Sequence, residues 1–318
     1  MGTPPGKPTH RLEPSPLDAS HTAPHATQAE PAGLAPAFAV HAASAARPGW
    51  RETGSGQALL LLHGWSLSGE AFDGQRALAR LGYRVIAPDH AGHGLSAALP
   101  HAGQASIARL AADAAALIGH LGLRDVVVVG WSMGAMVAWE LMRGHPALPL
   151  AAIGAIDMTP RLVGDAEWPH GLHGCYDRVQ AARMAMHVRK DWPSLIDSVR
   201  TGLWSAGSEP DAAQSGRITG IMRQCAPDAL AALWEDMARQ DYRPALRQAR
   251  LPLFHLVGQH SRLYAPAVGQ ATLALQPAAR LATVDGTGHA PHMERPPAFN
   301  TALLAMLHWP GLPAAPAP

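Results

Sequence analysis

The sequence predicts an α/β fold: a mostly parallel, doubly wound sheet interrupted by a helical insertion. Three observations point that way. Short apolar runs, several of them β-branched, alternate with longer stretches of helical periodicity between residues 37 and 158. Those runs are apolar throughout, which marks strands buried on both faces, as in a parallel sheet covered by helices. The alternation then stops over residues 159–250, where helical stretches continue without a strong strand, and it resumes over 251–318.

Taken in order, residues 1–36 are rich in Pro, Ala, Ser, Thr and His and lack apolar periodicity. Such a segment buries too little surface to offset its ordering entropy, so a disordered tail is expected. "AFAVHAA" reads as a first strand, "QALLLLHG" as a second, "AFDGQRALARLG" as a helix and "YRVIAPDH" as a strand. "SIARLAADAAALIGHLG" then reads as a helix, "DVVVVGW" as a strand, "MGAMVAWELMRGHP" as a helix and "LAAIGAIDM" as a strand. In the insertion, "DRVQAARMAMHVRKD" and "DALAALWEDMARQ" have helical spacing. Ligands of doubly wound sheets bind beyond the carboxyl ends of the strands, so an insertion at one such loop is expected to act as a lid. After it come "LPLFHLVG" as a strand, "PAVGQATLALQ" as a helix, "ARLATVDG" as a strand and a last helix through "PAFNTALLAMLHW".

Composition narrows the function classes. With 47% hydrophobic residues in 318, the chain can bury a sizeable core. A formal charge of +1, from 25 basic and 24 acidic residues, provides no field for nucleic acid and no polybasic membrane signal, so a small-molecule substrate is expected. No stretch approaches the roughly 18 consecutive apolar residues of a membrane span, and the N-terminus lacks an apolar h-region, so the expectation is a soluble cytoplasmic protein. Cys175 and Cys225 have no metal-like spacing, and the histidines, including His10, His21, His25, His41 and His101, are scattered. No metal site is expected.

The chemistry centres on "GWSMG", residues 130–134. Ser132 stands between two glycines at the junction of a β-branched strand and a helix, the setting of a nucleophile elbow. The glycines have a mechanical reason: side chains two residues either side of a strained serine would strike neighbouring elements. At a helix N-terminus the serine also sits where free N–H groups favour developing negative charge. An aspartate nucleophile is excluded because the elbow residue is serine, and no Gly-x-Gly-x-x-Gly follows the first strand, so no nucleotide cofactor is implied.

With these residues the chain resembles the α/β-hydrolase superfamily over roughly residues 37–309. "LLHGWSLSG" resembles the His-Gly-X loop after the third strand of that fold, and the resemblance implies that the Trp65 and Met133 amides form an oxyanion hole. Gly64 lets the backbone approach a bound carbonyl, in agreement. His63 reads as a buried turn histidine that orders this loop rather than as a catalytic group. "DHAGHGLS" resembles the family's Asp-x-Arg-Gly-x-Gly-x-Ser turn, with Ala91 where arginine usually stands. In "GTGHAPHMERPPAF", His289 matches the catalytic histidine, with Glu294, Pro296 and Phe299 at the usual downstream positions; His292 competes with it three residues on. The resemblance places the acid three residues beyond the glycine of "LPLFHLVG", where this chain has Ser261. Asp157, at the end of "LAAIGAID", is the alternative that some members use. It competes with a purely structural role as a cap for the exit into the insertion, and Asp285 is a third option.

The implied function is that of a serine esterase acting on a small to medium apolar substrate through an acyl-enzyme: Ser132 attacks the carboxylic ester, His289 shuttles the proton, Asp157 orients it, and no cofactor is required. Trp131, Trp168 and Trp204 are candidates for the substrate pocket, with Trp192 and Trp234 as further large apolar surfaces; each alternatively packs a core. Rival readings are a thioesterase, a lactonase, a C–C bond hydrolase, a cofactor-free haloperoxidase-like enzyme, or a ligand-binding receptor that has lost turnover.

Overall fold

The structure is a computed structural model that describes Gly2 and residues 35–99 and 102–309. Apart from Gly2, Ala35 and Pro36, the expected N-terminal tail lies outside the described residues, as does His101.

Among the described residues one sheet of eight strands organises the fold. The strands are β1 (Ala39–His41), β2 (Trp50–Thr53), β3 (Gln57–Leu62), β4 (Tyr83–Pro88), β5 (Val126–Trp131), β6 (Leu150–Ile156), β7 (Leu253–Gly258) and β8 (Arg280–Val284). Their order across the sheet is β1-β2-β4-β3-β5-β6-β7-β8. From β4 onward the pairings are parallel, whereas β1 with β2 and β2 with β4 are antiparallel. β3 and β5 are buried at every position, as their unbroken Leu and Val runs require for strands covered on both faces. Two readings change here. The first strand shrinks from 37–43 to three residues, two of them exposed at the sheet edge. β2, "WRET", is a strand that periodicity did not reveal, because four residues with two opposite charges carry no apolar alternation.

The segment expected as a helix over 71–82 is helical over Gly69–Leu81, in 3-10 geometry, opened by Ser68 and closed by Gly82 in the left-handed region (φ 83°). α1 (Ile107–His120) starts at Ser106, whose hydroxyl accepts from the Arg109 amide at 3.2 Å. α2 (Met133–Gly144) follows β5 directly. Between β6 and β7 come α3 (Arg178–Gly202), α4 (Ala212–Arg223), α5 (Pro227–Arg239) and α6 (Arg243–Gln248). α3 opens with a capping box between Asp177 and Gln180 and breaks at Asp191, two residues before Pro193. The proline ring lacks a donor and crowds the carbonyl four residues back. α7 (Ala267–Leu275), α8 (Pro291–Glu294) and α9 (Pro296–Leu307) complete the second half. Because β3 and β5–β8 run in parallel, the loops after them emerge at one edge of the sheet, and the chemistry-bearing residues lie in those loops.

Candidate active site

Ser132 occupies the first position after β5 with φ 52° and ψ −121°, a conformation costly for any residue with a Cβ. Backbone bonds hold it on both sides: its amide donates to Ile156 O at 3.0 Å and its carbonyl accepts from Ala135 at 2.8 Å. A Cβ at Gly130 would run into the Gly134 carbonyl, and one at Gly134 would strike the Leu62 carbonyl. The two glycines of "GWSMG" are therefore demanded by the close packing of β5, α2 and β3. The Met133 amide is the first of α2 and belongs to the donors that a helix leaves unsatisfied.

His289 lies in the loop between β8 and α8 and is 2% exposed. Its Nδ1–H donates to Asp157 Oδ2 at 2.7 Å, and Asp157 is itself buried. Asp157 follows β6 with φ 44°, its amide bonded to Leu256 O at 2.9 Å. The carboxylate does not cap the exit into the insertion: Oδ1 accepts from the Gly258 amide at 3.2 Å, and Oδ2 accepts from Ser261 Oγ at 2.6 Å as well as from the histidine. The Ser261 oxygen in turn accepts from the Leu263 and Tyr264 amides, both at 3.3 Å, which leaves its proton directed at Asp157. The serine at the position where the resemblance puts the acid thus supports a carboxylate from the neighbouring strand. Asp285 is exposed. His292 is fully buried among Phe72, Trp131 and Phe299, with neither ring nitrogen partnered, and burial holds its pKa down to about 3. It is an apolar spacer rather than a base.

Ser132 and His289 line one cavity of about 880 Å³, together with Gly64, Trp65 and Trp131. The Trp131 indole N–H donates to the His289 carbonyl at 2.8 Å, tying the residue before the serine to the histidine loop. Trp65 is anchored from above: its indole N–H donates to Leu230 O at 2.8 Å, and its ring packs against Trp192 and Trp234. Gly64 lies against the Trp131 ring, where an added Cβ would come within 2.9 Å of Cε3.

The loop carrying Trp65 is braced by neutral histidines. His63 Nδ1–H donates to Gly64 O at 2.8 Å, and its Nε2 accepts from the His90 amide at 2.9 Å. His93 repeats the device, donating to Ala91 O at 3.1 Å and accepting from the Ser66 amide at 3.2 Å. His63 is therefore an ordering residue. Asp89, fully buried, accepts twice from Arg51 Nη1 (2.8 and 2.9 Å) and from the Gly69 and Leu95 amides (2.6 and 2.7 Å). With Ala91 in place of the usual arginine, Arg51 of β2 supplies the ion pair.

Burial, the largest cause, pushes the pKa of His63 and His90 well below normal, of His93 and His255 to about 4, and of His292 to about 3. In the unfolded chain these rings take up protons as pH falls through about 6.5, whereas in the folded protein burial keeps them neutral well below that, His93 and His255 to about 4. Their contribution to stability is complete above about pH 6.5 and drains away as pH falls toward 4, by about 1–2 kcal/mol at pH 5 for each of His93, His255 and His292. Thermal unfolding at pH 5 should give a Tm well below that at pH 7.5; equal values would show that the rings are protonated in the native state.

Two pocket candidates are displaced. Trp168 does not line the cavity: tight bridged turns at Asp165–Trp168 and Gly171–Gly174 tuck its ring beneath Arg243, and its indole N–H donates to Thr159 Oγ1 at 2.9 Å. Trp204 is buried against the histidine loop, where a Cβ on Gly288 would strike the Trp204–Ser205 backbone. Trp131 does line the cavity, as does Trp234. Sequence reasoning missed Gln180, Arg183, Met184 and His187 of α3, which also line it. Their i, i+3, i+4, i+7 spacing is one helix face and was the available signal.

The sequence matches the alpha/beta hydrolase family over residues 59–302. It is 31% identical over 249 residues to a pimeloyl-(acyl-carrier protein) methyl ester esterase of Aromatoleum aromaticum, a match covering 75% of this chain and 93% of that protein. It is 42% identical over 125 residues to a non-heme haloperoxidase of Rhodococcus erythropolis, covering 39% of this chain and 45% of that one. Among solved structures, a thermophilic esterase from Thermogutta terrifontis superimposes with a TM-score of 0.69 at 26% identity, covering 81% of this chain and 92% of that chain. Similarity of this extent, running from the first central strand into the last helix, shows that the chain belongs to the alpha/beta hydrolase family.

Proposed function

We propose that the protein is a carboxylic ester hydrolase that works through an acyl-enzyme on a small to medium acyl substrate. The observation that carries this reading is the buried 2.7 Å hydrogen bond between His289 and Asp157, at the wall of the cavity that Ser132 also lines. With Nδ1 committed to the carboxylate, Nε2 is the nitrogen free to act. Ser132 Oγ attacks the ester carbon as its proton passes to Nε2, and the Trp65 and Met133 amides receive the negative charge on the carbonyl oxygen. Nε2 then returns the proton to the departing alkoxide. Water enters, gives a proton to the same nitrogen and attacks the acyl carbon; Nε2 returns that proton to the departing Ser132 Oγ, which releases the acid and restores the free serine.

Several observations support this reading. Similarity along most of the chain to a methyl ester esterase favours a small alcohol leaving group. Side chains of α3 line the cavity, in keeping with residues 159–250 acting as a lid. The Ser261 hydroxyl at Asp157 weighs against the receptor reading, since the acid is displaced rather than lost. A haloperoxidase-like activity is the second reading, favoured by a match that covers 39% of the chain. Two free cysteines fit a cytoplasmic protein.

A fluorophosphonate probe tests the class. Stoichiometric labelling that disappears in Ser132→Ala, together with turnover of p-nitrophenyl acyl esters of graded chain length, is the expected result. A folded protein that neither labels nor turns over any ester would end the proposal. Ser261→Ala tests the support of the acid: it removes one hydrogen bond to a charged group, so kcat should fall about tenfold with KM little changed. An unchanged kcat would make Ser261 a bystander.

A further inference from the structure

The cavity in front of Ser132 combines an apolar wall with cationic groups that lack counter-ions. Leu172, Met184, Val199, Leu203 and Leu263 offer a surface for an acyl chain, and Arg183 and Arg262 line the same space. Neither guanidinium has a carboxylate partner among the described residues. Among the described residues some arginines are paired, such as Arg84 with Glu52, Arg189 with Glu235 and Arg243 with Asp241, and others are not; what distinguishes Arg183 and Arg262 is that both line the cavity that Ser132 lines. The cavity's exposed carboxylate, Asp197, lies 3.4 Å from Arg200 on its own helix and does not answer either cation. His187 and His173 add no negative charge; His187 shares a 3.3 Å hydrogen bond with Ser194.

The backbones beneath both cations are held in relation to the reaction centre. Arg183 lies on the α3 face that presents Gln180, Met184 and His187 to the cavity. Arg262 is flanked by Ser261, whose hydroxyl holds the catalytic carboxylate, and by Leu263, whose carbonyl accepts from the His173 amide at 3.0 Å. Both arginines are exposed, so their side chains are accessible to a ligand entering the cavity, and a guanidinium presents a planar fork that binds oxyanions through paired hydrogen bonds.

We propose that Arg183 and Arg262 bind an anionic oxygen group, carboxylate or phosphate, at the far end of the acyl chain. The preferred substrates are then esters whose acid part ends in a second, ionised group. This rests on Ser132 being the hydrolytic nucleophile. The apolar wall takes the methylenes, the arginines set the reach, and the esters with the right chain length place the scissile carbonyl at Ser132.

The test is a series of methyl esters of straight-chain acids of increasing length, each ending in a methyl, a carboxylate or a phosphate, assayed by methanol release. At the best length an anionic ester should exceed its neutral counterpart in kcat/KM by about tenfold or more, chiefly through KM. That ratio should fall about tenfold in Arg183→Gln and in Arg262→Gln, be largely kept in Arg183→Lys, and shrink as salt is raised. The carboxylate and phosphate arms show which oxyanion is taken. Anionic esters cleaved no better than neutral ones at every length, or variants that slow both kinds in equal proportion, would overturn the proposal while leaving the hydrolase intact. Failure to cleave any ester, with no fluorophosphonate labelling, would overturn both.

Discussion

Ser132→Ala should lower kcat/KM for ester hydrolysis by about a million-fold, the scale on which loss of a serine nucleophile removes covalent catalysis. The variant should fold. The bonds that hold position 132 in place, from its amide to Ile156 and to its carbonyl from Ala135, are backbone bonds that alanine keeps. Alanine also has the same Cβ at φ 52°, so the strain is carried over unchanged. Residual rate enhancement should persist, because the Trp65 and Met133 amides and the cavity remain. Steady-state kinetics beside thermal unfolding check this: a Tm near that of the parent with activity gone is the expected pair of results. A loss of only tenfold would mean that another group attacks the substrate. Cys225 is not that group, since it is buried and burial pushes its thiol up to about 12, which keeps it protonated.

Asp157→Asn should lower kcat by about 10,000-fold at nearly constant KM. The reason is the tautomer. The carboxylate accepts from the Gly258 amide, the Ser261 hydroxyl and His289 Nδ1, and each of these presents a proton to it. An asparagine oxygen can satisfy Gly258, but its NH₂ then faces His289 and Ser261. The imidazole would have to accept at Nδ1, which puts its proton on Nε2, where it can no longer take the proton of Ser132. Size and packing stay the same, so the loss appears in turnover and not in folding. Near-parental turnover would hand the orienting role to a different carboxylate.

Position 132 was legible because its constraint is local: a Val run, a turn, a helix and two glycines fall within a few residues. The histidine loop, with Gly286 and Gly288, carried the same kind of signal. The acid was harder. Ser261 occupies the place where the resemblance puts a carboxylate, and only the pairing of β6 with β7, which brings Asp157 beside Ser261 and Gly258, explains how both residues serve one site. β2 was illegible because its four residues carry charge without alternation, yet its Arg51 completes the Asp89 network. The tryptophans were legible as large apolar groups, but their destinations were not: Trp168 and Trp204 went into packing, and Trp65, Trp131 and Trp234 reached the cavity.

By itself the sequence determined the strand and helix alternation, the turn at Ser132 and the glycine-bearing histidine loop. Each of these depends on periodicity or turn chemistry among near neighbours in the chain. Only the tertiary structure decided which carboxylate meets His289, which arginine answers Asp89, and which side chains of α3 line the cavity that Ser132 also lines. Those contacts join segments far apart in sequence, and their geometry follows from strand register and helix docking, which are set by burial of the whole core.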